Sequence, residues 1–136
     1  MSWFRRLLGK DKETPLRGAR PVRREKTYSA DTGYVYQYVY EGYREARRDS
    51  QPGHQHVFSV TSDRSTRFPL SVFLAHQTVD AYRNKHGREL NATEQYAIVK
   101  MRLFAVFDEQ SHFGSEAQIV TISLENIEQH AETLDL

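Results

Sequence analysis

A run of alternating aromatic and β-branched residues at positions 34–40 restricts the fold of this 136-residue chain more than any other feature. Every second residue of the run is a tyrosine: Tyr34, Tyr36, Tyr38 and Tyr40. Successive side chains of a β-strand point to opposite faces, so this spacing places the four rings on one face and the intervening valines on the other. Aromatic and β-branched residues are also those that strands favour. The run therefore predicts a β-strand with a tyrosine face.

The residues that follow indicate two more strands. Turn-forming residues in the polar stretch 44–53 separate the tyrosine strand from a second strand at 56–61. A short turn at 63–66 then leads to the segment 68–74. This segment fits either a helix with Pro69 at its first position or a strand with alternating apolar residues. We favour the strand because the preceding turn is short.

Apolar residues at helical spacing predict two consecutive helices in the middle of the chain. The first covers 75–86 and ends at Gly87, a residue that readily adopts the left-handed conformation of a C-terminal cap. The second covers 91–109 and begins with the spacing of a capping box between Asn91 and Glu94. Its apolar stripe is broad, so we expect this helix to supply much of the core.

A final strand and helix complete the predicted order of elements. Residues 117–122 have the pattern of a short strand, and Ser123 is placed to cap a C-terminal helix. Strands come mainly first and helices mainly later, which is typical of α+β domains. We therefore predict an α+β fold with a small antiparallel sheet of three to four strands and two or three helices packed on one face.

Charge divides the chain near residue 26. Residues 1–26 contain nine Lys and Arg and three acidic residues, a net charge of +6, whereas residues 27–136 contain ten and fifteen, a net charge of −5. Within the first segment, residues 10–26 contain Pro15, Gly18 and Pro21 and few large apolar residues, which is typical of a flexible linker. We therefore expect a basic N-terminal arm at 1–26 and a single α+β domain at 27–136.

The start of the arm has the spacing of a short amphipathic helix. Its apolar side would carry Trp3, Phe4, Leu7 and Leu8, and its basic side Arg5 and Arg6. Such a helix can bind the anionic surface at the inner face of a membrane, or it can dock in a hydrophobic groove of a partner protein. A disordered solubilising tail is the third interpretation. The arm thus predicts a contact with a partner or a membrane, and a tail is the alternative.

Composition excludes several classes of protein. The chain contains no cysteine, so a disulfide scaffold, a cysteine-bound zinc ion and a thiol nucleophile are all excluded. No apolar run approaches the roughly 20 residues of a membrane span, and the first residues lack the apolar segment of a secretory signal. Phosphate-binding loops, dinucleotide fingerprints and hydrolase motifs are also missing from the sequence. We therefore expect a cytoplasmic, non-enzymatic protein without a cofactor.

The tyrosine face allows two interpretations. If it faces solvent, the tyrosines at 34–40 could combine with Arg44, Arg64 and Arg67 into an aromatic and basic surface that stacks on nucleic-acid bases. If it faces the helices, the rings belong to the core, and Val35 and Val39 face solvent or a partner. We favour the packed arrangement and retain nucleic-acid binding as an alternative.

Two histidines, His54 and His56, are separated by one residue, and on a strand both would point to the same face. Two imidazoles in this arrangement could begin a transition-metal site, with His112, Asp63 or Glu116 as the third ligand. Polar residues beside a turn are more often simply solvated. A metal or catalytic site around His54, His56 and His112 is therefore the weakest of the functional hypotheses.

These observations favour a small interaction or adaptor domain that is targeted by its N-terminal arm. A protein partner or self-association is expected, and a homodimer could form through the strand edge beside Val35 and Val39. Peripheral membrane contact through the arm and nucleic-acid binding through the tyrosine strand are alternatives.

Overall fold

A five-stranded sheet and three helices make up the computed structural model, which describes residues 14–19, 23–110, 113 and 116–136. The strands are β1 (Lys26–Ser29), β2 (Val35–Arg48), β3 (Gln51–Thr61), β4 (Phe68–Ala75) and β5 (Gln118–Thr121). The helices are α1 (His76–His86), α2 (Ala92–Glu109) and α3 (Leu124–Thr133). Strands adjacent in the chain are adjacent in the sheet. The first four strands pair antiparallel, and β5 lies parallel to β4.

The α+β fold is confirmed, but the sheet is larger than predicted and mixed in direction. A strand that pairs parallel to its neighbour needs a long crossover connection, and α1 and α2 supply it between β4 and β5. The segment 68–74 is a strand, as favoured over the helix. The short strand β1 was not predicted, because four residues with the sequence KTYS carry little alternation. Among the helices that the structure describes, none combines the length and apolar character needed to cross a membrane.

The core lies between the tyrosine face of the sheet and the helices. Tyr36 and Tyr38 are only 1% and 5% exposed, and Tyr36 stacks on Phe107 of α2 with ring centroids 4.2 Å apart. The packed interpretation is therefore correct for these two rings, and they cannot form an exposed stacking surface. On the opposite face Val35 is exposed as expected, but Val39 is 7% exposed and does not face solvent.

Strand β2 continues past the predicted end of the tyrosine run because of a β-bulge at Gly42. The pairing register between β2 and β3 shifts between Tyr40 and Gly42, and Gly42 has a φ of 116°. A bulge adds one residue to one strand. Beyond it, odd-numbered residues therefore lie on the face that even-numbered residues occupied before it. Tyr43 consequently pairs with His56 and points to the same face as Tyr40.

Part of the segment expected to be a flexible linker lies against β2 beside this bulge. Arg17 pairs with Tyr43 through two backbone hydrogen bonds of 2.8 Å. A β-carbon at Gly42 would come within 2.4 Å of the Arg17 carbonyl oxygen. The absence of a side chain at Gly42 is therefore what allows residues 14–19 to approach the sheet.

We expect Gly42→Ala to lower the free energy of unfolding by about 1–3 kcal/mol, through the positive φ and the clash with Arg17. Gly33→Ala is the matched control, because Gly33 also has a positive φ of 95° but has open space where the β-carbon would lie. Urea unfolding of both variants measures the difference. Equal losses of stability in the two variants would show that residues 14–19 do not pack against β2.

Candidate functional site

A cavity of about 540 Å³ opens between the tyrosine face of the sheet and the first turn of α2. Its walls are mainly aromatic and imidazole rings, which are contributed by β2, β3 and α2. The lining residues are Gly18, Tyr40, Tyr43, His54, His56, Ala92, Thr93, Gln95 and Tyr96. We call this cavity the Tyr–His pocket.

The bulge in β2 and the start of α2 position the rings of the Tyr–His pocket. Because the bulge exchanges the two faces, Tyr43 joins Tyr40 on the inner face, where its ring lies 5.6 Å from that of His56. The Asn91 side chain accepts a 2.8 Å hydrogen bond from the Glu94 backbone N–H, which fixes where α2 begins. Tyr96 follows in the next turn and places its ring 4.8 Å from that of Tyr40.

His56 is the buried polar group of the pocket, at 6% exposure. Burial lowers the pKa of His56 to about 4, with a smaller contribution from His54, so the ring is neutral at pH 7. Burial also raises the pKa of Tyr40, whose hydroxyl therefore keeps its proton. The two side chains are hydrogen bonded, with 2.9 Å between Tyr40 Oη and His56 Nδ1.

This hydrogen bond indicates the tautomer of His56. The structure gives the Tyr40 hydroxyl one acceptor, His56 Nδ1, so we assign the hydroxyl as donor and place the ring proton on Nε2. His56 Nε2 is buried and has no hydrogen-bond partner within the described ranges. A buried donor without an acceptor costs about 1–3 kcal/mol. The wall of the pocket therefore includes a side chain whose buried donor is not satisfied by any described residue.

Further donors and positive charge surround the pocket. The backbone N–H groups of Ala92 and Thr93, at the start of α2, make no hydrogen bond to any described residue. The guanidinium of Arg17 lies 5.2 Å from the ring centre of Tyr43, and Lys100 Nζ lies 5.8 Å from that of Tyr96. The N-terminus of a helix carries a partial positive charge, so this side of the pocket favours an anion.

A second group of titratable side chains lies next to the pocket. Glu45 accepts from both neighbouring imidazoles, with 2.8 Å between Oε1 and His54 Nε2 and 3.2 Å between Oε2 and His76 Nε2. The rings of His54 and His76 are 5.0 Å apart. His54 is thus shared between this group and the Tyr–His pocket.

Asp63 and Glu116, two of the third ligands predicted for the His54 and His56 pair, do not contact His54. Asp63 accepts three hydrogen bonds inside its own turn, from Thr61 Oγ1 and the backbone N–H groups of Ser65 and Thr66. That turn follows the end of β3, whereas His54 lies near the beginning. Glu116 is exposed just before β5. His112 lies outside the residues that the structure describes.

The predicted combination of tyrosines with Arg44, Arg64 and Arg67 is not assembled. Arg44 pairs with Gln55 in the sheet and donates to the carbonyl of Thr14. Arg67 donates to Ser59 and Glu25. Both lie on the face opposite the tyrosines, and Arg64 is in the exposed turn after β3. Tyr34 is 45% exposed but stands apart from these arginines on the other face.

Four residues around the pocket were not identified from the sequence: Tyr43, Glu45, His76 and Tyr96. Gly42 inside a strand pattern was the available signal, since an isolated strand glycine often marks a bulge. A bulge there would have placed Tyr43 and Glu45 on the tyrosine face. The predicted membrane or partner contacts, Trp3, Phe4, Arg5, Arg6, Leu7 and Leu8, lie outside the described part of the chain.

The Tyr–His pocket combines aromatic walls, a side chain with a buried donor that no described residue satisfies, and cationic groups near two of its tyrosines. Similarity to known proteins does not assign it a role. Compared with protein-family models, with curated proteins and with solved structures, the chain gave no match.

Proposed function

We propose that this protein is a non-enzymatic binding module that holds a small planar acid in the Tyr–His pocket. The observation that carries the proposal is the buried His56 Nε2 donor, which has no acceptor among the described residues and belongs to a side chain that lines an aromatic cavity. Folding buries this group at a cost, and a ligand oxygen at Nε2 would recover that cost. Buried polar groups without partners are uncommon in proteins. Of the four such atoms among the described residues, His56 Nε2 is the one whose side chain lines the cavity.

The walls and volume of the pocket support a ring-shaped ligand. About 540 Å³ lies within the roughly 300–1,000 Å³ usual for small-molecule sites, which are apolar with a few well-placed polar groups. The rings of Tyr40, Tyr43 and Tyr96 offer flat surfaces on which an aromatic ring can stack or pack edge to face. We therefore propose a ligand that contains a single ring or two fused rings.

The electrostatics of the rim support an acidic group on that ring. Arg17 and Lys100 bring cationic groups to the tyrosines, and the first turn of α2 presents backbone donors. A carboxylate can accept from His56 Nε2–H and from such donors at once, since each of its oxygens has two lone pairs. We therefore propose an aromatic carboxylate as the ligand class.

This proposal is a specific form of the interaction domain expected from the sequence. Gly18 lines the pocket and Arg17 lies over Tyr43, so the arm is connected to the site through residues 14–19. The targeting role of the apolar residues at 3–8 stays a prediction, as do a protein partner and self-association.

The test is calorimetric titration of the full chain with 2-naphthoate and with its neutral amide. We expect saturable binding of the acid, roughly two- to fivefold tighter than that of the amide because of the helix N-terminus. His56→Phe removes the donor and keeps an aromatic side chain, so it should weaken binding about tenfold.

Two tyrosine variants form the matched control for this titration. Tyr96→Ala should weaken 2-naphthoate binding roughly three- to tenfold through the lost ring contact, whereas Tyr34→Ala, outside the pocket, should leave it unchanged. Absence of saturable binding, or equal binding by the His56 and Tyr96 variants and the wild-type chain, would contradict the proposal. Far-UV circular dichroism confirms that each variant is folded.

A further inference from the structure

We propose that Glu45, His54 and His76 form a binding site for a transition-metal ion of the Zn²⁺ class. The three side chains come from three different elements: β2 beyond its bulge, the start of β3 and the first residue of α1. Each offers one ligand atom, and these atoms all lie within 4.8 Å of one another. This inference goes beyond the proposed ligand pocket and does not depend on it.

The sheet register holds the three residues together. Glu45 lies directly opposite His54 in the pairing of β2 with β3, so both point to the tyrosine face. His54 in turn lies opposite Leu74 in β4, and His76 follows two residues later where that strand becomes α1. The cluster is therefore set by the pairing of three strands.

The three ligand atoms are close enough for one ion to bind all of them after side-chain adjustment. In a tetrahedral site with bonds of about 2.0–2.1 Å, neighbouring ligand atoms lie about 3.4 Å apart. Glu45 Oε1 lies 2.8 Å from His54 Nε2, and its Oε2 lies 3.2 Å from His76 Nε2. An ion between the three side chains would replace these hydrogen bonds and, because the ligand atoms are spread over up to 4.8 Å, would draw the two imidazoles together by up to about 1.4 Å.

The donor set indicates the class of ion. Two imidazoles and one carboxylate suit Zn²⁺, Co²⁺, Ni²⁺ or Cu²⁺, whereas Mg²⁺ and Ca²⁺ prefer oxygen ligands alone. Three protein ligands leave a fourth position for water or another ligand. The side chains of His54 and His76 are 28% and 46% exposed, so an ion can reach them from solvent.

Another histidine and glutamate pair in the protein, His86 and Glu128, provides a comparison. His86 Nε2 lies 2.7 Å from Glu128 Oε2, but the same carboxylate oxygen lies 2.7 Å from the ammonium group of Lys85. A lysine at the carboxylate repels a cation, and no second histidine in the described part of the chain joins this pair. Glu45 instead contacts two histidine side chains, His54 and His76. The pair at His86 is therefore a suitable control.

The experiment is calorimetric titration of the full chain with Zn²⁺, together with the visible absorption of four-coordinate Co²⁺. We expect one equivalent of Zn²⁺ to bind and the Co²⁺ band to appear. His76→Asn and Glu45→Gln alter exposed side chains, so the variants should remain folded, and each should weaken binding at least tenfold. His86→Asn should bind as the wild-type chain does.

Several results would overturn the proposal. Zn²⁺ binding that is unchanged in His76→Asn, or that is reduced as much by His86→Asn, would place the ion elsewhere. Binding that disappears with His112→Asn but survives the loss of His76 would do the same, and no saturation below millimolar Zn²⁺ would exclude a site. Tyr96→Ala should bind Zn²⁺ as the wild-type chain does while binding 2-naphthoate more weakly, which separates this test from that of the pocket.

Discussion

Tyr36→Ala is expected to lower the free energy of unfolding by about 3–5 kcal/mol, the range measured for truncation of buried aromatic residues. Tyr36 is 1% exposed and stacks on Phe107, and its ring also packs edge-on against Phe113 with centroids 5.8 Å apart. Removing it leaves a cavity between β2 and α2 that neither can close without moving. Because total stabilities are typically 5–15 kcal/mol, the loss would be a large share of the whole.

Two companion variants separate the cavity from other effects. Tyr34→Ala removes a ring that is 45% exposed at the start of the same tyrosine run, and we expect a change within about 0.5 kcal/mol. Tyr36→Phe keeps the ring but removes the 3.3 Å hydrogen bond to the Gln110 carbonyl, for a loss of about 1 kcal/mol. Urea unfolding measures all three. Equally small losses at Tyr34 and Tyr36 would mean that the tyrosine face is exposed.

The elements predicted correctly are those specified by residues close together in the chain. Asn91 and Glu94 form the expected capping box, and Gly87 ends α1 with a φ of 66°. Ser123 caps α3 through the backbone N–H of Asn126. In each case the pattern and the contact that it specifies span only a few residues, so the sequence contains the whole interaction.

The features that were missed depend on partners far along the chain. Strand β1 has little pattern of its own and is defined by pairing with β2, where Tyr28 lies opposite Tyr36. The parallel direction of β5 follows from where two helices return the chain to the sheet. The bulge at Gly42 appears in the sequence only as one glycine inside a strand, a signal with more than one meaning.

The candidate sites follow the same rule. The H-x-H spacing correctly brought His54 and His56 to one face, because strand alternation is local. The partners of His54 could not be read from spacing, since Glu45 is 9 residues before it and His76 is 31 residues from Glu45. One face then separates into two environments, with His56 buried against Tyr40 and His54 half-buried beside a carboxylate. That division depends on where α2 covers the sheet.

Burial of neutral His56 is expected to make the protein lose stability as the pH falls from about 6.5 to about 4. The unfolded chain binds a proton at His56 near its ordinary pKa of 6.5, whereas burial holds the pKa in the folded protein at about 4. Between these values the unfolded state binds more protons, so the free energy of unfolding decreases toward acid. The total loss of stability from His56 is about 3 kcal/mol. Above pH 6.5 the ring is neutral in both the folded and the unfolded state, so His56 causes no further change in stability.

The titratable groups around His56 do not reverse the direction in which stability changes with pH. The ring is faced by His54 from its own strand, by Tyr40 and Tyr43 from β2 and by Tyr96 from α2. The tyrosines stay neutral in acid, and His54 is, after burial, the second cause of the lowered pKa of His56. Buried His130 also has a lowered pKa, mainly from burial and then from Arg102, and adds to the loss in the same direction.

Urea unfolding between pH 7 and 5, with EDTA present to remove metal ions, measures this dependence. Asp63 does not contribute in that window, because backbone hydrogen bonds from Ser65 and Thr66 hold its pKa at about 2. His56→Gln should remove most of the slope of stability against pH, and His130→Gln a smaller part. A slope that His56→Gln leaves unchanged would mean that His56 is protonated in the folded protein, and Nε2 would then already have an acceptor or contact with water.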